Sequence, residues 1–480
     1  MSDPPHDSVR IGTSGQSLTE QLAALVLEPV DDRARMAAAT HLLDWVGTVV
    51  AATAVPDGAT LVDHARSRPV GRASAVGAGR RDFHAAAFVN AGLSISLEAD
   101  ATHRGARLHP GGVTIAAALA QAEQLGSPSS QLLDAIVRGY EAMVRVGEST
   151  GAGHYVHWHT TSTCGPFGSA AAAVSLVLEA RGVGTADGRA TLSSALGTAS
   201  SATGGLWQTR EEHTPTKMVH AGQAAVAGLQ AAALAAAGLR GPLAILEGPH
   251  GLYAATCPDP HPGAVTAPCR AGWKIHETSL KPWCACRHVH PAVGAALDLR
   301  AQLEARGATA GDIAAVDLYT YRDALKFANC PTPTSSRSAM FSLQHAVAVA
   351  LVQGDLPLAA LDEAHLADPP VAALRARVQV GTDPGLERAY PDAWGCRLAA
   401  QLADGTSLVV ERPHAKGDPD DPLDGPEVEA KALALMGWAG VPGDVAARLV
   451  AAVGRLVDGG SVADLSTALG AVTPVPTMTS

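Results

Sequence analysis

Apolar residues recur every three to four positions through most of the first 270 residues, the pattern of amphipathic helices. The first run opens at Ser17 with Glu20 three residues later, a pair whose side chains can both accept from free N–H groups at a helix start. This predicts a helix to Leu27 and a second helix over residues 33–52, which Pro56 and the following Asp-Gly end. Further helices are predicted through residue 120 and over residues 131–148, 168–181, 190–202 and 222–238.

The pattern changes near Cys269, where proline-rich loops begin. A helix predicted over residues 293–306 precedes an alternating, strand-like run at 313–321, and another helix is predicted over 341–353. Two alternating runs within 396–411 flank an Asp-Gly turn, which predicts a β-hairpin. Mixed helices and strands of this kind are typical of a small α+β domain.

Beyond residue 422 the chain is predicted to be helical again to about residue 470. The predicted fold class is therefore mainly α, with a large all-helical domain that is discontinuous in sequence and a smaller α+β domain. The predicted bounds are residues 1–270 and 417–480 for the helical domain and 271–416 for the α+β domain. The alanine bias is interpreted as close packing between helices.

The 480 residues have a formal net charge of −11 at pH 7, and 47% of them are hydrophobic. A chain longer than about 250–300 residues usually divides into more than one unit. An acidic surface does not attract nucleic acid or anionic membranes, so neither is an expected partner. An anionic substrate would instead need a local basic pocket.

The seven cysteines are an odd number spread over a long chain, which favours reduced thiols in a cytoplasmic protein over a disulfide framework. The N-terminal stretch MSDPPHDSVRIGTSGQ is polar and lacks the apolar core of a signal peptide. No run approaches the roughly 20 uninterrupted apolar residues of a membrane span, so none is predicted.

A first polar cluster lies in a loop before a predicted helix. Glu98, Asp100, Thr102, His103 and His109 place two carboxylates, a hydroxyl and two imidazoles there. The free N–H groups of a helix N-terminus attract anions, which favours a substrate site. The alternative is a capping loop with solvated charges.

A second cluster contains His154, His157 and His159, followed by a run of hydroxyl side chains. The three imidazoles could hold a metal, or one of them and the hydroxyls could line a substrate pocket. The histidine spacing does not fit one helical face and no carboxylate is near in sequence, which disfavours the metal. An ordinary surface loop is the third interpretation.

The densest polar cluster begins at Lys281 and ends at His290. Its Cys-x-Cys spacing is tighter than that of most structural zinc sites. Alternatively, Lys281 and Arg287 bind carboxylates while Cys286 and His290 line the pocket or pack beneath it. A Cys–His nucleophile is a further possibility, but no third group in the sequence would orient it.

Lys217 precedes a long helix rich in alanine and glycine, with His220 shortly after it. A lysine in such a place is often a solvated surface residue. If Lys217, Lys281 and Arg287 converge, however, the three cations would form a site for a di- or tricarboxylate.

The order of these segments resembles that of the MmgE/PrpD family of 2-methylcitrate dehydratases and cis-aconitate decarboxylases, which also includes an iminodisuccinate epimerase. The likeness extends along nearly the whole chain, and its strength lies in the number of short matches in one order. The matching segments are residues 42–47, 90–98, 109–110, 158–159, 164–168, 216–222, 246–248, 281–282, 290, 341–343, 417–423 and 431.

The resemblance implies a large all-helical domain and a smaller α+β lid with the active site between them, a homodimer, and no required cofactor or metal. The acid loop of the family, Asp-Phe-Asp-Asp-Thr, falls on residues 98–102. The predicted catalytic residues are Asp100, His109 and Lys217. The predicted substrate-binding residues are Glu98, Thr102, His159, Lys281, Cys286 and His290.

Several positions depart from the family pattern. The first Asp of the acid loop is Glu98 here and its last Asp is Ala101, and one residue is inserted between Thr102 and His109. His345 replaces a tyrosine common after Phe-Ser-Leu. Because these changes affect the expected pocket, the substrate is expected to differ from methylcitrate and cis-aconitate.

The expected chemistry is removal of a proton α to a carboxylate. The lysines would stabilise the resulting negative charge. His109, or Asp100 acting with it, would be the base. Dehydration, decarboxylation and epimerisation differ only in the fate of the carbanion, and the sequence does not separate them. A lyase is predicted, with an epimerase or isomerase as the alternative. A non-catalytic paralogue and a metalloenzyme are the other hypotheses.

Overall fold

The computed structural model describes residues 15–212 and 214–473, so most of the polar N-terminal stretch and His213 lie outside the described residues. The chain forms two compact units. The helical unit comprises the chain up to Ser96, Asp100–Thr278, and the chain from Val428; the mixed unit comprises Leu97–Ala99 and Ser279–Glu427. Helices predominate in the described part of the chain, and the prediction of a mainly α fold with a smaller α+β part is confirmed.

The helical unit contains fifteen of the α-helices in the described residues, the helix over Gly425–Trp438 belonging to it from Val428 onward. In chain order they are α1 Leu18–Val26, α2 Asp32–Ala52, α3 Pro56–Arg66, α4 Phe83–Ser94, α5 Pro110–Leu125, α6 Ser129–Ser149, α7 Gly151–His154, α8 Thr160–Arg181, α9 Thr185–Ser200, α10 Gln208–Glu211, α11 Lys217–Ala236, α12 Leu252–Thr256, α19 Gly425–Trp438, α20 Gly443–Gly454 and α21 Val462–Gly470.

Local sequence signals explain where several of these helices begin. The predicted capping box is present, because Ser17 Oγ accepts from Glu20 N at 3.2 Å and Glu20 Oε2 accepts from Ser17 N at 2.8 Å. Pro56 does follow the end of α2, but it also occupies the first position of α3. A proline fits the first turn of a helix because its missing N–H would have no partner there.

Helix α8 lies in the core and packs against α5, α6 and α11. The interpretation of the alanine bias as close packing between helices is confirmed at Ala224 on α11, whose side chain would lie 2.7 Å from a Cβ at Gly165 of α8. At Gly168 a Cβ would lie 2.8 Å from Met143 Cβ on α6. Phe167 between them is fully buried, and burying such a side chain contributes about 1.5–3 kcal/mol.

One β-hairpin in the helical unit was not predicted. Strands β1 (Ala73–Ala75) and β2 (Gly79–Arg81) pair antiparallel around a turn. Its buried Ser74 donates through N and Oγ to the Glu123 carboxylate at 2.7 and 2.6 Å. The hairpin thereby links to the C-terminal half of α5.

The mixed unit is built on a four-stranded sheet whose strands lie in the order β4 (Val378–Thr382), β3 (Ile313–Thr320), β5 (Cys396–Leu402) and β6 (Ser407–Arg412). Strand β3 is parallel to β4 and antiparallel to β5, and β5 and β6 form the predicted hairpin around Gly405, whose φ is +87°. Helix α13 (His290–Glu304) packs against β5, β6 and α16 (Leu343–Gln353). The elements of this unit are α13 His290–Glu304, β3 Ile313–Thr320, α14 Arg322–Ala328, α15 Ser336–Ala339, α16 Leu343–Gln353, α17 Pro369–Arg375, β4 Val378–Thr382, α18 Pro384–Ala389, β5 Cys396–Leu402 and β6 Ser407–Arg412.

An aromatic cluster stabilises the mixed unit around His288. The His288 ring stacks between Trp394 and Phe327, with centroid distances of 4.5 and 5.1 Å, and its Nδ1 lies 2.8 Å from the Tyr321 hydroxyl. Burial and the positive charges of Arg287 and Lys281 lower the pKa of His288 to about 3. The ring is therefore neutral at ordinary pH.

By length and composition alone, α8 could cross a membrane, as could α2 and α3 together if their bend of 93° formed one broken span. In α8 the most apolar stretch is 94% buried within the described protein. Its apolar character is therefore that of a core helix.

Candidate active site

The acid loop of the helical unit brings Asp100 and His109 into contact. Asp100 Oδ2 lies 2.8 Å from His109 Nδ1, and the carboxyl group is 3% exposed. Thr102 Oγ1 lies 3.3 Å from the same nitrogen. A carboxylate beside Nδ1 favours the tautomer with its hydrogen on Nδ1, which leaves a lone pair on Nε2. This arrangement suits a general base.

Backbone contacts fix the position of His109. It is the N-cap of α5, and Pro110 follows it at the first helical position. Its N–H donates to Thr161 Oγ1 at 3.0 Å. Within the loop, His103 N donates to Leu108 O at 2.9 Å, and Arg107 adopts a φ of +51°, which is uncommon for a residue with a side chain.

The N-termini of α5 and α8 meet through this hydrogen bond, because Thr161 lies in the first turn of α8. The N-cap of α8 is His159, whose ring is 1% exposed and lies 4.6 Å from the Trp207 ring by centroids. His159 Nδ1 lies 3.3 Å from Nδ1 of His220, in the first turn of α11. Each helix N-terminus adds partial positive charge, which favours an anion.

Lys217 is the first residue of α11 rather than a residue of the preceding loop, and it is partly buried. Burial and the Lys217 ammonium lower the pKa of His220. His220 was not among the predicted site residues. Its place three residues after Lys217 is the sequence signal that could have identified it, since such residues are neighbours on a helix.

The mixed unit contains the other predicted lysine. Lys281 Nζ donates to Glu98 O at 2.9 Å and to Glu98 Oε2 at 3.2 Å, and Lys281 is fully buried. Glu98 adopts a φ of +52°. The structure thus pairs Lys281 with the glutamate that departs from the family pattern, two residues before Asp100 in sequence.

The remaining residues of the 281–290 cluster have internal partners. The Arg287 guanidinium pairs with the buried Asp418 carboxylate, which also accepts from Ser279 Oγ at 2.5 Å. His290 is fully buried, and its Nε2 lies 3.1 Å from Ala285 O. Cys286 is half-buried, and its N–H donates to a main-chain carbonyl. The ion pair with Asp418 opposes the reading in which Arg287 binds a carboxylate.

His345, which replaces the family tyrosine, is also buried. Its Nε2 lies 3.0 Å from Ala360 O, and its Nδ1 lies 3.1 Å from the Arg375 guanidinium. Burial lowers the pKa of His345. These contacts tie the ring to the mixed unit.

Among residues 15–212 and 214–473, one group of three side chains could hold a metal ion: His103, Glu148 and Glu277. Lys274 Nζ already lies 3.0 Å from Glu148 Oε2 and 2.6 Å from Glu277 Oε2. The Ala106 N–H donates to His103 Nδ1 at 3.1 Å, so the hydrogen of the neutral ring is on Nε2, the atom that faces the carboxylates. The group is arranged as an ion-pair network.

The structure therefore brings together three of the predicted residues directly, Asp100, Thr102 and His109. It joins His159 to Lys217 through His220, all within the helical unit. It joins Glu98 to Lys281 within the mixed unit. The roles assigned to these residues, and to Cys286 and His290, stay predictions.

Family models and individual relatives match this chain. Residues 16–264 match the MmgE/PrpD N-terminal domain and residues 283–453 the MmgE/PrpD C-terminal domain. Cis-aconitate decarboxylase from Homo sapiens is 25% identical over 365 residues, which are 74% of this chain and 73% of that protein.

Two dehydratases match over shorter stretches. 2-Methylcitrate dehydratase from Cupriavidus necator is 36% identical over 134 residues, which are 26% of this chain and 28% of that protein. The enzyme of the same name from Salmonella typhimurium is 31% identical over 139 residues, 27% of this chain and 29% of that protein. The matched stretch thus spans less than a third of each dehydratase. The two domain models together cover most of the chain, and the protein belongs to the MmgE/PrpD family.

Proposed function

We propose that the protein is a lyase acting on a small di- or tricarboxylic acid, either by removing a proton α to a carboxylate and expelling water or by expelling CO2 and protonating the carbanion that forms. The observation that supports this most is the contact of 2.8 Å between Asp100 and His109. The names of the relatives, a dehydratase and a decarboxylase, favour the same class of chemistry.

In the proposed dehydration, His109 Nε2 takes the α-proton, and the electrons of the C–H bond form the new C=C bond as the C–O bond breaks. The hydroxyl leaves as water after receiving a proton from the imidazolium or another acid. Asp100 stabilises the imidazolium that forms. Lys217 and the N-termini of α8 and α11 stabilise the charge that develops on the substrate carboxylate.

In a decarboxylation the electrons of the C–C bond to the departing carboxylate form the carbanion, and His109 in its protonated form supplies the proton that replaces CO2. The same residue therefore serves both reactions, as the base in dehydration and as the acid in decarboxylation. Thr102, beside His109, is proposed to bind substrate. Substrate contacts of His159, Glu98, Lys281, Cys286 and His290 stay predictions. The substitutions at Glu98 and Ala101 support a substrate other than methylcitrate or cis-aconitate.

The test is incubation with citrate-like, aconitate-like and aminosuccinate-like acids in deuterated water. Loss of water or CO2 from one acid, abolished by His109→Gln, is the expected result. Folded protein that releases neither and exchanges no α-proton contradicts the proposal.

A cofactor-independent epimerase is the second candidate, because proton removal and return by the same Asp100–His109 pair would suffice. The departures from the family pattern at Glu98 and Ala101 favour a reaction other than loss of water or CO2, such as epimerisation. Inversion at the α-carbon with deuterium incorporation, and no other change of mass, would identify it. Cytoplasmic location, a homodimer and independence of metals and cofactors stay predictions.

A further inference from the structure

The contact between His159 and His220 restricts where the protons on the two rings can lie. Their Nδ1 atoms are 3.3 Å apart. A neutral imidazole has one N–H, so this hydrogen bond needs a hydrogen on one Nδ1 and a lone pair on the other. Burial and Lys217 lower the pKa of His220, so that ring is neutral near pH 7. The two tautomers are therefore coupled.

The two histidines differ in accessibility. His159 is 1% exposed, and its ring packs on Trp207. Its backbone N–H donates to Gly205 O at 2.9 Å. His220 is partly exposed, and so is Lys217 one turn earlier on the same helix. A ligand at the start of α11 would therefore meet Lys217 and His220 before it met His159.

We propose that His220 is a further substrate-binding residue, which together with Lys217 binds one carboxylate of the substrate. His159 acts as a positioning residue: its Nδ1–H donates to His220 Nδ1 and so places the hydrogen of His220 on Nε2. The ammonium of Lys217 and this N–H are two donors on residues three positions apart on α11, and hydrogen bonds to a carboxylate belong to the stronger class. This inference rests on the proposed carboxylate substrate.

Substitutions at His220 separate binding from packing. In glutamine the side-chain amide can occupy the place of Nε2–H, whereas in asparagine it reaches only the place of Nδ1. We expect His220→Gln to bind citrate within about threefold of the wild-type affinity and His220→Asn to bind it about tenfold more weakly, the loss of one hydrogen bond to a charged group. Gln223→Ala, on the exposed side of α11, is the control and should leave affinity unchanged.

Calorimetric titration with citrate gives these affinities, and steady-state kinetics with whichever acid is turned over should show the loss in KM rather than in kcat. Equal effects of the glutamine and asparagine variants would overturn the proposal, because a purely structural role would not distinguish them. Unchanged affinity in both would overturn it as well.

Neutron diffraction from deuterated wild-type crystals near pH 7 tests the tautomers without reference to activity. We expect deuterium on His159 Nδ1 and on His220 Nε2. Deuterium on His220 Nδ1, with none on His159 Nδ1, contradicts the assignment. If wild-type protein binds and converts none of the acids, the proposed function fails while the neutron result still decides the arrangement of the two histidines.

Discussion

Two acids that are two residues apart in sequence, Glu98 and Asp100, each contact a basic side chain, but the two pairs differ in their surroundings. In the helical unit Asp100 contacts His109, whose side chain is 16% exposed. In the mixed unit Glu98 contacts Lys281, whose side chain is 1% exposed. The chain passes from the mixed unit to the helical unit between Ala99 and Asp100, and this boundary separates the two acids.

The difference in exposure favours different roles for the two pairs. A general base must exchange a proton with a substrate, so at least one of its atoms must be reachable, as the His109 side chain is. A fully buried ammonium next to a carboxylate is neutralised where it lies, and its main effect is on folding. For Lys281 to bind a substrate carboxylate, Glu98 would have to release part of its contact. The comparison favours chemistry at His109 and charge compensation at Lys281.

Replacement of the base gives the largest expected effect. His109→Gln keeps a polar amide but has no lone pair that can take the α-proton, so kcat should fall about 10³-fold, within the usual range for general acid–base catalysis. The measurement is turnover of the best acid from the substrate panel. Thermal unfolding of the same variant should change little, because the side chain is partly exposed.

Activity within tenfold of wild type in His109→Gln would reassign the base. Asp100→Asn provides the companion measurement, since an amide can hold His109 in the wrong tautomer without removing the ring. A fall in kcat of similar size in both variants would indicate that the pair acts as one group.

At the buried pair the expected effect is on stability. Glu98→Gln leaves the Lys281 ammonium buried without its carboxylate, and the free energy of unfolding should fall by about 3 kcal/mol, as when one partner of a buried ion pair is removed. Urea unfolding measures this loss. Because Glu98 has a φ of +52°, glutamine is preferred over a β-branched replacement.

A double variant measures whether the charges of Glu98 and Lys281 stabilise the fold through each other. Glu98→Gln combined with Lys281→Met removes both charges, so it should lose less stability than the two single variants added together. Additive losses would show that the two side chains contribute independently. They would also favour a substrate-binding role for Lys281 over charge compensation.

Sequence periodicity predicted most long elements because each has enough residues to display its own period. The hairpin within residues 396–412 and the helix observed as Asp32–Ala52 are examples. Strands Ala73–Ala75 and Gly79–Arg81 were missed because three residues are too few to show alternation. Pro56 was interpreted only as the end of the preceding helix, although proline is also common at the first position of a helix and begins α3 here.

At the candidate site, the acid loop was accessible to sequence reasoning because Asp100 and His109 belong to one short segment. The contact of His159 with His220 joins residues 61 positions apart, and that of Arg287 with Asp418 joins residues 131 positions apart. Composition and local spacing contain no information on such partners. The sequence therefore indicated Arg287 as a ligand group, whereas the structure pairs it with a buried carboxylate.

Buried His288 makes the stability of the protein depend on pH. Burial, Arg287 and Lys281 lower the pKa of His288 to about 3, so between about pH 6.5 and 3 the unfolded chain binds a proton that the folded chain does not. Stability from the neutral ring is therefore present above pH 6.5 and is lost as pH falls, by about 1.4 kcal/mol per pH unit.

Urea unfolding of the wild type and of His288→Phe at pH 7, 6 and 5 isolates this contribution. The wild type should lose stability more steeply than the variant, although the variant also lacks the hydrogen bond with Tyr321 and is less stable at pH 7. Parallel slopes for the two proteins would mean that His288 is not buried in the neutral form.

The smallest expected effect concerns the hydroxyl beside the base. Thr102 Oγ1 lies 3.3 Å from His109 Nδ1, and Asp100 Oδ2 lies 2.8 Å from the same atom, so the hydroxyl shares that nitrogen with a charged group. Thr102→Val keeps the shape and removes the hydroxyl, and kcat should fall about threefold to tenfold, the net value of one ordinary hydrogen bond. Thr161→Val, which removes the acceptor for the His109 N–H, is the matched variant. A loss at Thr102 as large as that at Asp100 would mean that the hydroxyl contacts substrate directly, and the contrast between the accessible pair and the buried pair would then have to include it.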